Sequence, residues 1–361
     1  MSIPTQIPMS SGLAARYRRS VLGRLGILAA VLLASLGAMT LDLMVGSGTL
    51  GLSNVLAALW APSHADPIAT AIVWNIRAPI TLLAALTGIE LALSGSLLQT
   101  VLRNPLADAF TLGVAAAAGF GAALAIVFQS SLLGAALAWL PGEFLVSGNA
   151  FLFSLLAVAL VMVLASRNGM NVETITLLGI TVHFTFSALL AFAQYFADAT
   201  QLQSLVFWLL GSLLRATWLK VWINGGLLLA LVPLLLFQGW ALTALRGFGD
   251  QAVVLGLKVG RLRILLMVCA ALMAGSATAS IGIVGFVGLV APHMARLLVG
   301  EDQRFALPLT ALCGMLLLTL ASLISKIVLP GVILPIGMVT SMLGIPFFLA
   351  QILSRRRRPA A

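Results

Sequence analysis

The stretch that decides the fold runs from Leu25 to Leu43 and reads LGILAAVLLASLGAMTLDL. A helix needs about 20 predominantly apolar residues to cross a bilayer. This run supplies that length with one charged residue, Asp42, near its end. Arginines precede it as far as Arg24, an arrangement that can also mark a cleaved signal peptide. Because no small-x-small cleavage site follows, we predict a first transmembrane helix.

The composition extends this prediction to the whole chain. Of its 361 residues, 61% are hydrophobic and only 8% are charged, and the mean hydropathy is +1.12. At about 20 residues per span, this apolar content supplies roughly ten spans. Water-soluble classes are therefore excluded, and no length remains for a sizeable soluble catalytic domain.

Hydropathy predicts an all-α polytopic membrane protein of about ten transmembrane helices. The predicted spans lie near residues 21–44, 78–100, 109–128, 147–166, 174–197, 219–238, 263–283, 285–299, 305–328 and 333–354. The glycines Gly282, Gly285 and Gly288 indicate a bent helix pair around the short eighth span. We expect one transmembrane domain at 21–354, with a cytoplasmic tail at 1–20 and a basic cytoplasmic tail at 355–361.

The basic residues predict the orientation of the chain. With the N-terminus in the cytoplasm, 16 of the 20 lysines and arginines fall inside, and the four outside are Arg77, Arg215, Lys220 and Lys326. Cytoplasmic loops carry such an excess, so the reverse orientation is rejected and both termini are expected inside. The net charge of +10 is thus an orientation signal and does not indicate a nucleic-acid partner.

Sequence motifs for covalent chemistry are absent. No P-loop, HExxH, CxxC or GxSxG pattern occurs, so any ATP must be hydrolysed by another subunit. Cys269 and Cys313 lie inside apolar runs and are predicted to be small core residues. We therefore expect no enzyme activity, no catalytic residue, no cofactor and no metal site.

Three segments, which occur in order between about residues 70 and 354, carry a family resemblance. The first combines Arg77-Ala-Pro-Ile80, Leu93-Ser-Gly-Ser-Leu-Leu-Gln99, Arg103-Asn-Pro-Leu-Ala-Asp108 and Leu112-Gly113. The second is Trp208-Leu-Leu-Gly-Ser212 with Ala216-Thr-Trp218. The third comprises Gly285-Phe-Val-Gly-Leu-Val-Ala-Pro-His293-Met-Ala-Arg296, Leu334-Pro-Ile-Gly337 and Gly344-Ile-Pro-Phe347. Together they resemble the FecCD-type permeases, the membrane subunits of ABC importers for iron-siderophores, haem and cobalamin.

The resemblance implies a type II ABC importer permease in the bacterial inner membrane. Such a subunit forms a homodimer around one pathway, with two cytoplasmic ATPase subunits and a periplasmic substrate-binding protein as partners. A heterodimer with a paralogous permease is an alternative. The expected cargo is a metal chelate, an iron-siderophore in the first instance, with cobalamin and haem as alternatives.

The long internal loop at 242–262 is where the resemblance places the contact with the ATPases. Two short amphipathic pieces separated by glycines could lie in a partner's groove. The expected coupling residues are Arg246, Gly249, Asp250, Ala252, Leu255 and Gly256. The alternative is a solvated basic loop that only sets topology.

Few charges lie outside, and the resemblance implies that Arg77 and Lys326 dock the binding protein. Arg215 and Lys220 are weaker candidates for the same surface. An ordinary interfacial anchor is the alternative for Arg77 and Lys326. The sequence departs from the family pattern at four positions, which are Ile80, Ser322, Lys326 and Ile333. Because lysine lacks the bidentate fork of arginine, docking is expected to be weaker or differently shaped.

Two helices are expected to line the translocation pathway. In the fifth span a polar stripe lies on one helical face: Thr176, Gly179, His183, Ser187 and Gln194. The last span has a small face at Gly337, Ser341 and Gly344. The resemblance implies that both faces line the passage between two permease copies. His183 is expected to act in helix packing, with cargo binding as the alternative.

Two turn motifs are predicted to be structural. Asn104-Pro105 falls between two spans, where Asn104 and Asp108 can bond free backbone groups at the next helix start. Pro292-His293 is expected to break a helix, with His293 stabilising the turn.

Glu90 is the one acidic residue far from either predicted membrane edge. Intramembrane carboxylates are costly and often functional, and here burial against Ser94 is the structural alternative. A secondary transporter with a Glu90–His183 proton relay is the competing function class. A membrane-embedded enzyme is less favoured, because no paired catalytic constellation is present.

Overall fold

The computed structural model describes residues 11–46, 50–63, 65–130, 142–167, 170–329 and 331–355. This part of the chain is helical and contains no strand beyond a single bridge between Leu329 and Val332. Its α-helices, in chain order, are α1 Ser11–Met44, α2 Leu52–Trp60, α3 Pro67–Ile72, α4 Ala78–Val101, α5 Val114–Val127, α6 Gly142–Ser166, α7 Val172–Phe196, α8 Ala199–Leu209, α9 Trp218–Phe237, α10 Gly239–Phe248, α11 Val259–Ile281, α12 Val287–Val299, α13 Gln303–Ile327 and α14 Ile336–Arg355. Apart from Arg355, the predicted basic tail lies outside the described residues, as do residues 1–10 of the N-terminal tail.

Seven of these segments are long and apolar enough to cross a membrane, and three shorter apolar helices accompany them. The long ones are Ala15–Met44, Pro67–Val101, Gly142–Ser166, Val172–Phe196, Trp218–Phe237, Val259–Ile281 and Gln303–Ile327. The shorter ones are Val114–Val127, Val287–Val299 and Ile336–Phe347. All ten fall where the hydropathy placed a span, so the all-α polytopic fold class is confirmed for the described part of the chain.

The hydropathy missed several short elements. The helices α2, α3, α8 and α10 are each too short for a span, and a π-helical turn at Val73–Arg77 joins α3 to α4. Local signals for α8 were present: Asp198 accepts from the Gln201 backbone N–H while the Gln201 side chain accepts from that of Asp198. Such a capping box stabilises a helix start independently of hydrophobicity.

Helix α4 lies at the centre of the bundle and packs against α9, α11, α12 and α13. Its Gly88 lies against the backbone of Gly314 in α13, and its Gly95 lies against the backbone of Gly288 in α12. A methyl group at Gly88, Gly95 or Gly314 would collide with the facing backbone, and one at Gly288 would press against the Leu91 carbonyl at 3.0 Å. Lipid provides no hydrophobic drive between helices, so this close approach supplies much of the packing attraction.

The predicted bent pair is instead two separate helices. Helix α11 ends at Ile281 and α12 begins at Val287. The break contains Gly282 at φ +80° and Phe286 at φ +68°, the left-handed region that interrupts a helix. Its backbone is bonded within the protein, because the Ser212 N–H donates to the Ile281 carbonyl at 2.7 Å. Irregular backbone at membrane depth requires such internal partners.

Pro292 was predicted to break a helix, but it does not. It is buried inside α12, and a proline there removes one helical hydrogen bond and leaves the carbonyl four residues earlier without its donor. That carbonyl belongs to Gly288, and it accepts from the Gln99 side chain at 3.1 Å. The side chain from α4 thus replaces the missing bond, and His293 lies within a continuous helix beside the ring of Phe347.

The two ends of the bundle differ in charge. We call the end that carries Arg24, Arg246, Arg263 and Arg304 the basic end, and the end that carries Lys220 and Lys326 the far end. At the far end the rings of Trp74 and Trp218 stack at 5.8 Å, and the Trp218 indole donates to the Trp74 carbonyl at 2.9 Å. Tryptophan is enriched where membrane proteins meet the bilayer surface.

Gly95→Ala should destabilise the protein by about 3 kcal/mol, because the added methyl forces α4 and α12 apart. The midpoint and free energy of unfolding in detergent measure the effect. Gly226→Ala in α9 is the matched control, since nothing lies within 4 Å of its added carbon. Equal stability of the two variants would contradict the packing role of Gly95.

Candidate functional site

At the basic end, a compact segment made of α10 and a 3-10 turn at Gly249–Leu255 replaces most of the predicted loop at 242–262. We call residues 239–256 the coupling segment, after the role that the sequence resemblance predicts for this region. Gly249 at φ +58° and Gly256 at φ +81° close its two pieces, a conformation that favours glycine. Five large apolar side chains are exposed on it, namely Trp240, Phe248, Val253, Val254 and Leu255, and Val254 is 89% exposed. An apolar cluster of this kind on a polar end indicates a protein-docking surface.

The coupling segment is attached to the start of α7 through a buried arginine. Arg263 in α11 is 3% exposed, and its Nη1 atom donates to the Asp250 carboxylate at 2.8 Å. The same atom donates to the Met170 carbonyl at 3.0 Å, just before α7. A side chain at Gly249 would collide with the guanidinium of Arg103, which follows α4. Movement of the segment would therefore reach α4, α7 and α11.

A second attachment joins the segment to α12 and α13. Arg246 Nε lies 2.5 Å from Glu301, which also faces Arg296 at 3.8 Å. Next to it, Asp302 caps α13 and accepts two hydrogen bonds from the Arg304 side chain. These bonds lower the pKa of Asp302, with Arg24 adding to the effect. Of the predicted coupling residues, Arg246 and Asp250 anchor the segment, Ala252 is buried, and Leu255 belongs to the exposed patch.

The predicted docking cations Arg77 and Lys326 lie at the far end, but their side chains are buried. Lys326 Nζ pairs with the fully buried Asp42 at 2.7 Å, and Thr81 donates to the same carboxylate at 2.5 Å. Arg77 donates to the carbonyls of Leu43 and Met44 at 2.9 and 2.8 Å. Both cations therefore attach the end of α1 to α4 and α13. Sequence reasoning missed Asp42, whose position in an otherwise apolar run was the available signal.

A cavity of about 450 Å³ opens at the far end. It lies where the irregular segments after α8, α11 and α13 meet, and the Ile336 N–H donates to the Gly211 carbonyl there at 3.1 Å. Its charged lining consists of Glu143, Arg215, Lys220 and Lys326. The hydroxyl of Ser322, which is also in the lining, is buried without a hydrogen-bond partner in the described residues.

The polar stripe of α7 lies at the margin between its packed and exposed faces. Gly179 is buried against the Thr111 carbonyl, and Thr176, His183, Ser187 and Gln194 are half-buried. A side chain at Gly113 would collide with the backbone of His183, so α7 and α5 approach closely at this level. A lining role for the stripe stays a prediction.

The small face of α14 is used for close packing. A side chain at Gly337 would meet the carbonyls of Leu210 and Ile283, and one at Gly344 would collide with the ring of Phe286. Ser341 donates to the Gly337 carbonyl at 2.8 Å. Gly337 and Ser341 also line a second cavity of about 600 Å³, which Asp108 borders. These contacts account for the small residues, and a role in a passage between two copies stays a prediction.

The turn after α4 is held by its own side chains. Asn104 Oδ1 accepts from the Leu106 N–H at 2.9 Å. The intervening Pro105 has no backbone N–H that would need an acceptor. Asp108 Oδ1 accepts from the N–H groups of Phe110 and Thr111 at 3.0 and 3.3 Å. Burial nevertheless raises the pKa of Asp108 to about 6. Its two hydrogen bonds from backbone N–H groups order the start of the third span.

Glu90 is fully buried in α4, and neither carboxylate oxygen has a hydrogen-bond partner among the described residues. Ser94, one turn on, is also fully buried but donates its hydroxyl to the Ala270 carbonyl at 2.9 Å and not to Glu90. Cys269 and Cys313 are free and buried, as predicted. Within the part of the chain that the structure describes, no group of three or more metal-ligating side chains gathers.

Comparisons with known proteins agree on one family. The model of the FecCD transport family matches residues 30–354. The vitamin B12 import system permease protein BtuC of Vibrio cholerae is 36% identical over 281 residues, 77% of this chain and 81% of that protein. The hemin transport system permease protein HmuU of Yersinia pestis is 35% identical over 321 residues, 88% of this chain and 93% of that protein.

Solved structures share the fold. One, a provisionally assigned metal-chelate type ABC transporter in an inward-facing conformation, superposes with a TM-score of 0.79 at 29% identity and covers 91% of this chain and 99% of its own. PsaBC from Streptococcus pneumoniae in complex with Fab gives a TM-score of 0.56 at 19% identity over 78% and 93%, which shows the fold alone. The chain therefore has the predicted ABC importer permease fold.

Asp42→Asn should destabilise the protein by about 3 kcal/mol, because it leaves the Lys326 ammonium buried without its carboxylate. The double variant Asp42→Asn/Lys326→Met should recover part of that loss, since it removes the stranded charge. Unfolding in detergent measures both. If the double variant loses at least as much stability as Asp42→Asn and Lys326→Met lose together, the pair does not anchor α1.

The free energy of unfolding should fall as the pH rises, because of the buried Asp108 carboxyl group. Its folded-state pKa of about 6 lies above the ordinary value of 3.8, so its contribution is complete below pH 3.8 and is lost as the pH rises through 6. The difference of about two units corresponds to about 3 kcal/mol at most. Unfolding in detergent between pH 4 and 7 should show this decline in the parent protein and a flatter profile in Asp108→Asn. Equal slopes would contradict it.

Proposed function

The chain belongs to the FecCD transport family, and from this membership we propose that it is the membrane-spanning permease subunit of an ATP-driven importer of metal chelates. It would lie in the bacterial inner membrane as one transmembrane domain at 21–354. The observation that carries the proposal is the exposed apolar patch on the coupling segment, which the ion pairs Arg246–Glu301 and Asp250–Arg263 attach to neighbouring helices.

Two ATPase subunits are the proposed partners at the basic end. The excess of arginines favours a cytoplasmic position for this end, and the cytoplasm is where ATP is available. Phe248, Val253, Val254 and Leu255 provide an apolar contact, while Arg246 and Asp250 transmit its movement to α13 and α11. ATP-driven closure of the ATPases would then shift the bundle between two arrangements.

The far end would face the periplasm and receive a substrate-binding protein. Because Arg77 and Lys326 are committed to internal bonds, we propose that they shape this docking surface by holding α1 in place. Rigid positioning of a surface lowers the entropic cost of binding. They would contribute to docking by positioning this surface, and not by presenting an exposed charge to the binding protein.

A second copy of the chain is the proposed partner of α7 and α14. Helix α7 exposes Phe184 and Tyr195, and the polar stripe runs beside this exposed face. Lipid would disfavour such polar side chains, whereas a partner helix or an aqueous pathway would accommodate them. The passage would then run between the two copies, along Thr176, His183, Ser187, Gln194 and Ser341.

The cargo is proposed to be a metal chelate: an iron-siderophore, haem or cobalamin. The relatives are named for vitamin B12 and hemin import, and the resemblance adds iron-siderophores. The chain itself would perform no covalent chemistry.

Uptake into proteoliposomes tests the proposal. Vesicles that contain the permease with its ATPases, and that are supplied with its binding protein, should accumulate a chelate only when ATP is present on the side of the membrane that carries the ATPases. Uptake driven by a proton gradient with the ATPases omitted would overturn the proposal. It would favour the competing ion-gradient transporter, for which the buried, unbonded Glu90 is the supporting observation. Glu90→Gln would then abolish uptake.

Val254→Asp should reduce both ATPase association and ATP-driven uptake at least about tenfold, because it places an unpaired charge in an apolar contact. Folding should be unaffected, since the side chain is 89% exposed. Gln251→Ala on the same exposed turn is the control. Normal coupling in Val254→Asp would show that the patch does not contact the ATPases.

A further inference from the structure

The cavity at the far end contains a buried cation, Lys220, that forms no ion pair within 4.0 Å. Lys220 is 5% exposed, and its Nζ donates one hydrogen bond, to the Arg215 carbonyl at 2.9 Å. All ten acidic residues of the chain lie in the described part. None of them comes within 4.0 Å of the charged nitrogen atoms of Lys220 or Arg215.

The second lysine of the same cavity provides an internal comparison. Lys326 is equally buried, and it is neutralised by Asp42 at 2.7 Å. Glu143 is the one carboxylate of the lining, and it lies more than 4.0 Å from the charged nitrogens of the two remaining cations, Arg215 and Lys220. The lining therefore keeps one net positive charge. Because a buried ammonium is costly unless it is paired, an anion from outside the chain would complete the site.

Three serine hydroxyl groups in the lining of the same cavity can still donate a hydrogen bond. Ser322 is fully buried and its Oγ has no hydrogen-bond partner in the described residues. Ser212 Oγ accepts from the Leu214 N–H at 3.2 Å, and Ser280 Oγ accepts from the Asn224 amide at 2.8 Å. Each of these hydroxyls keeps its proton for another acceptor. Anionic oxygens are the strongest such acceptors.

We propose that this cavity receives an anionic oxygen group of the cargo, with Lys220 as its ion-pair partner and Ser212, Ser280 and Ser322 as hydrogen-bond donors. The chain thereby takes metal chelates with free carboxylates in preference to neutral ones. The volume of about 450 Å³ is in the range of small-molecule sites. A carboxylate on a docked protein would meet the exposed Arg215 first, whereas the buried Lys220 is reached only by a group that enters the cavity.

This inference rests on the proposed import function, and equilibrium binding tests it separately because binding needs no ATP. The permease–ATPase complex is placed in phosphatidylcholine nanodiscs with labelled ferric citrate, haem or cyanocobalamin. At least one of the two carboxylate chelates should bind more tightly than cyanocobalamin. Lys220→Met should weaken that binding about tenfold or more, and Lys220→Arg should retain most of it. Ser322→Ala should weaken it severalfold.

Ser322→Ala keeps the test valid if Lys220→Met fails to fold, because it removes only one hydroxyl. Arg18→Met is the control, since it removes an exposed cation at the basic end and should leave binding unchanged. Preference for cyanocobalamin, or carboxylate-chelate binding unaffected by both cavity variants, would overturn the inference while ATP-driven uptake could still stand. A lipid phosphate offers the same chemistry. In a parallel set of nanodiscs that also contain phosphatidylglycerol, loss of bound phosphatidylglycerol in Lys220→Met, with chelate binding intact, would assign the cavity to lipid and also overturn the proposal.

Discussion

Close backbone contact around α4 is the constraint on which the rest of the structure depends. Helices in lipid gain no hydrophobic free energy from association, so they must approach closely enough for van der Waals contact to hold them. Gly88 with Gly314, and Gly95 with Gly288, allow this approach on two sides of α4. The approach to α12 also brings Gln99 to the Gly288 carbonyl. That bond compensates for Pro292, so one contact permits both the packing and the proline.

Polar connections at the two ends then fix how the outer helices join this centre. At the far end Asp42 holds Lys326 and Thr81, which attaches α1. At the basic end Arg263 joins the coupling segment to the residue before α7. Buried charge pairs of this kind add little net stability compared with apolar packing, but breaking one is costly. They therefore favour a single arrangement of the helix ends.

Much of the fold could be predicted because it depends on local properties of the chain. Apolar runs located all ten spans, and the arginine-rich termini and loops gave an orientation. The short helices could not be found in this way, because α8 and α10 depend on caps, glycines and neighbours rather than on hydrophobic length. Pro292 was misassigned for a similar reason, since the donor that tolerates it comes from α4. The candidate residues of the coupling segment were located, but their division into anchors and exposed contacts required the structure.

The sequence by itself determined the membrane class, the number of spans and the excess of positive charge at one end, because hydrophobicity and charge act residue by residue. The tertiary structure alone decided which polar groups are satisfied. Arg77 and Lys326 look like exposed docking cations in the sequence and are internally bonded in the fold. Lys220 is a weaker docking candidate in the sequence, and in the fold it is a buried cation of a cavity that forms no ion pair within 4.0 Å. Pairing depends on distances between side chains far apart in the chain, and only packing sets those distances.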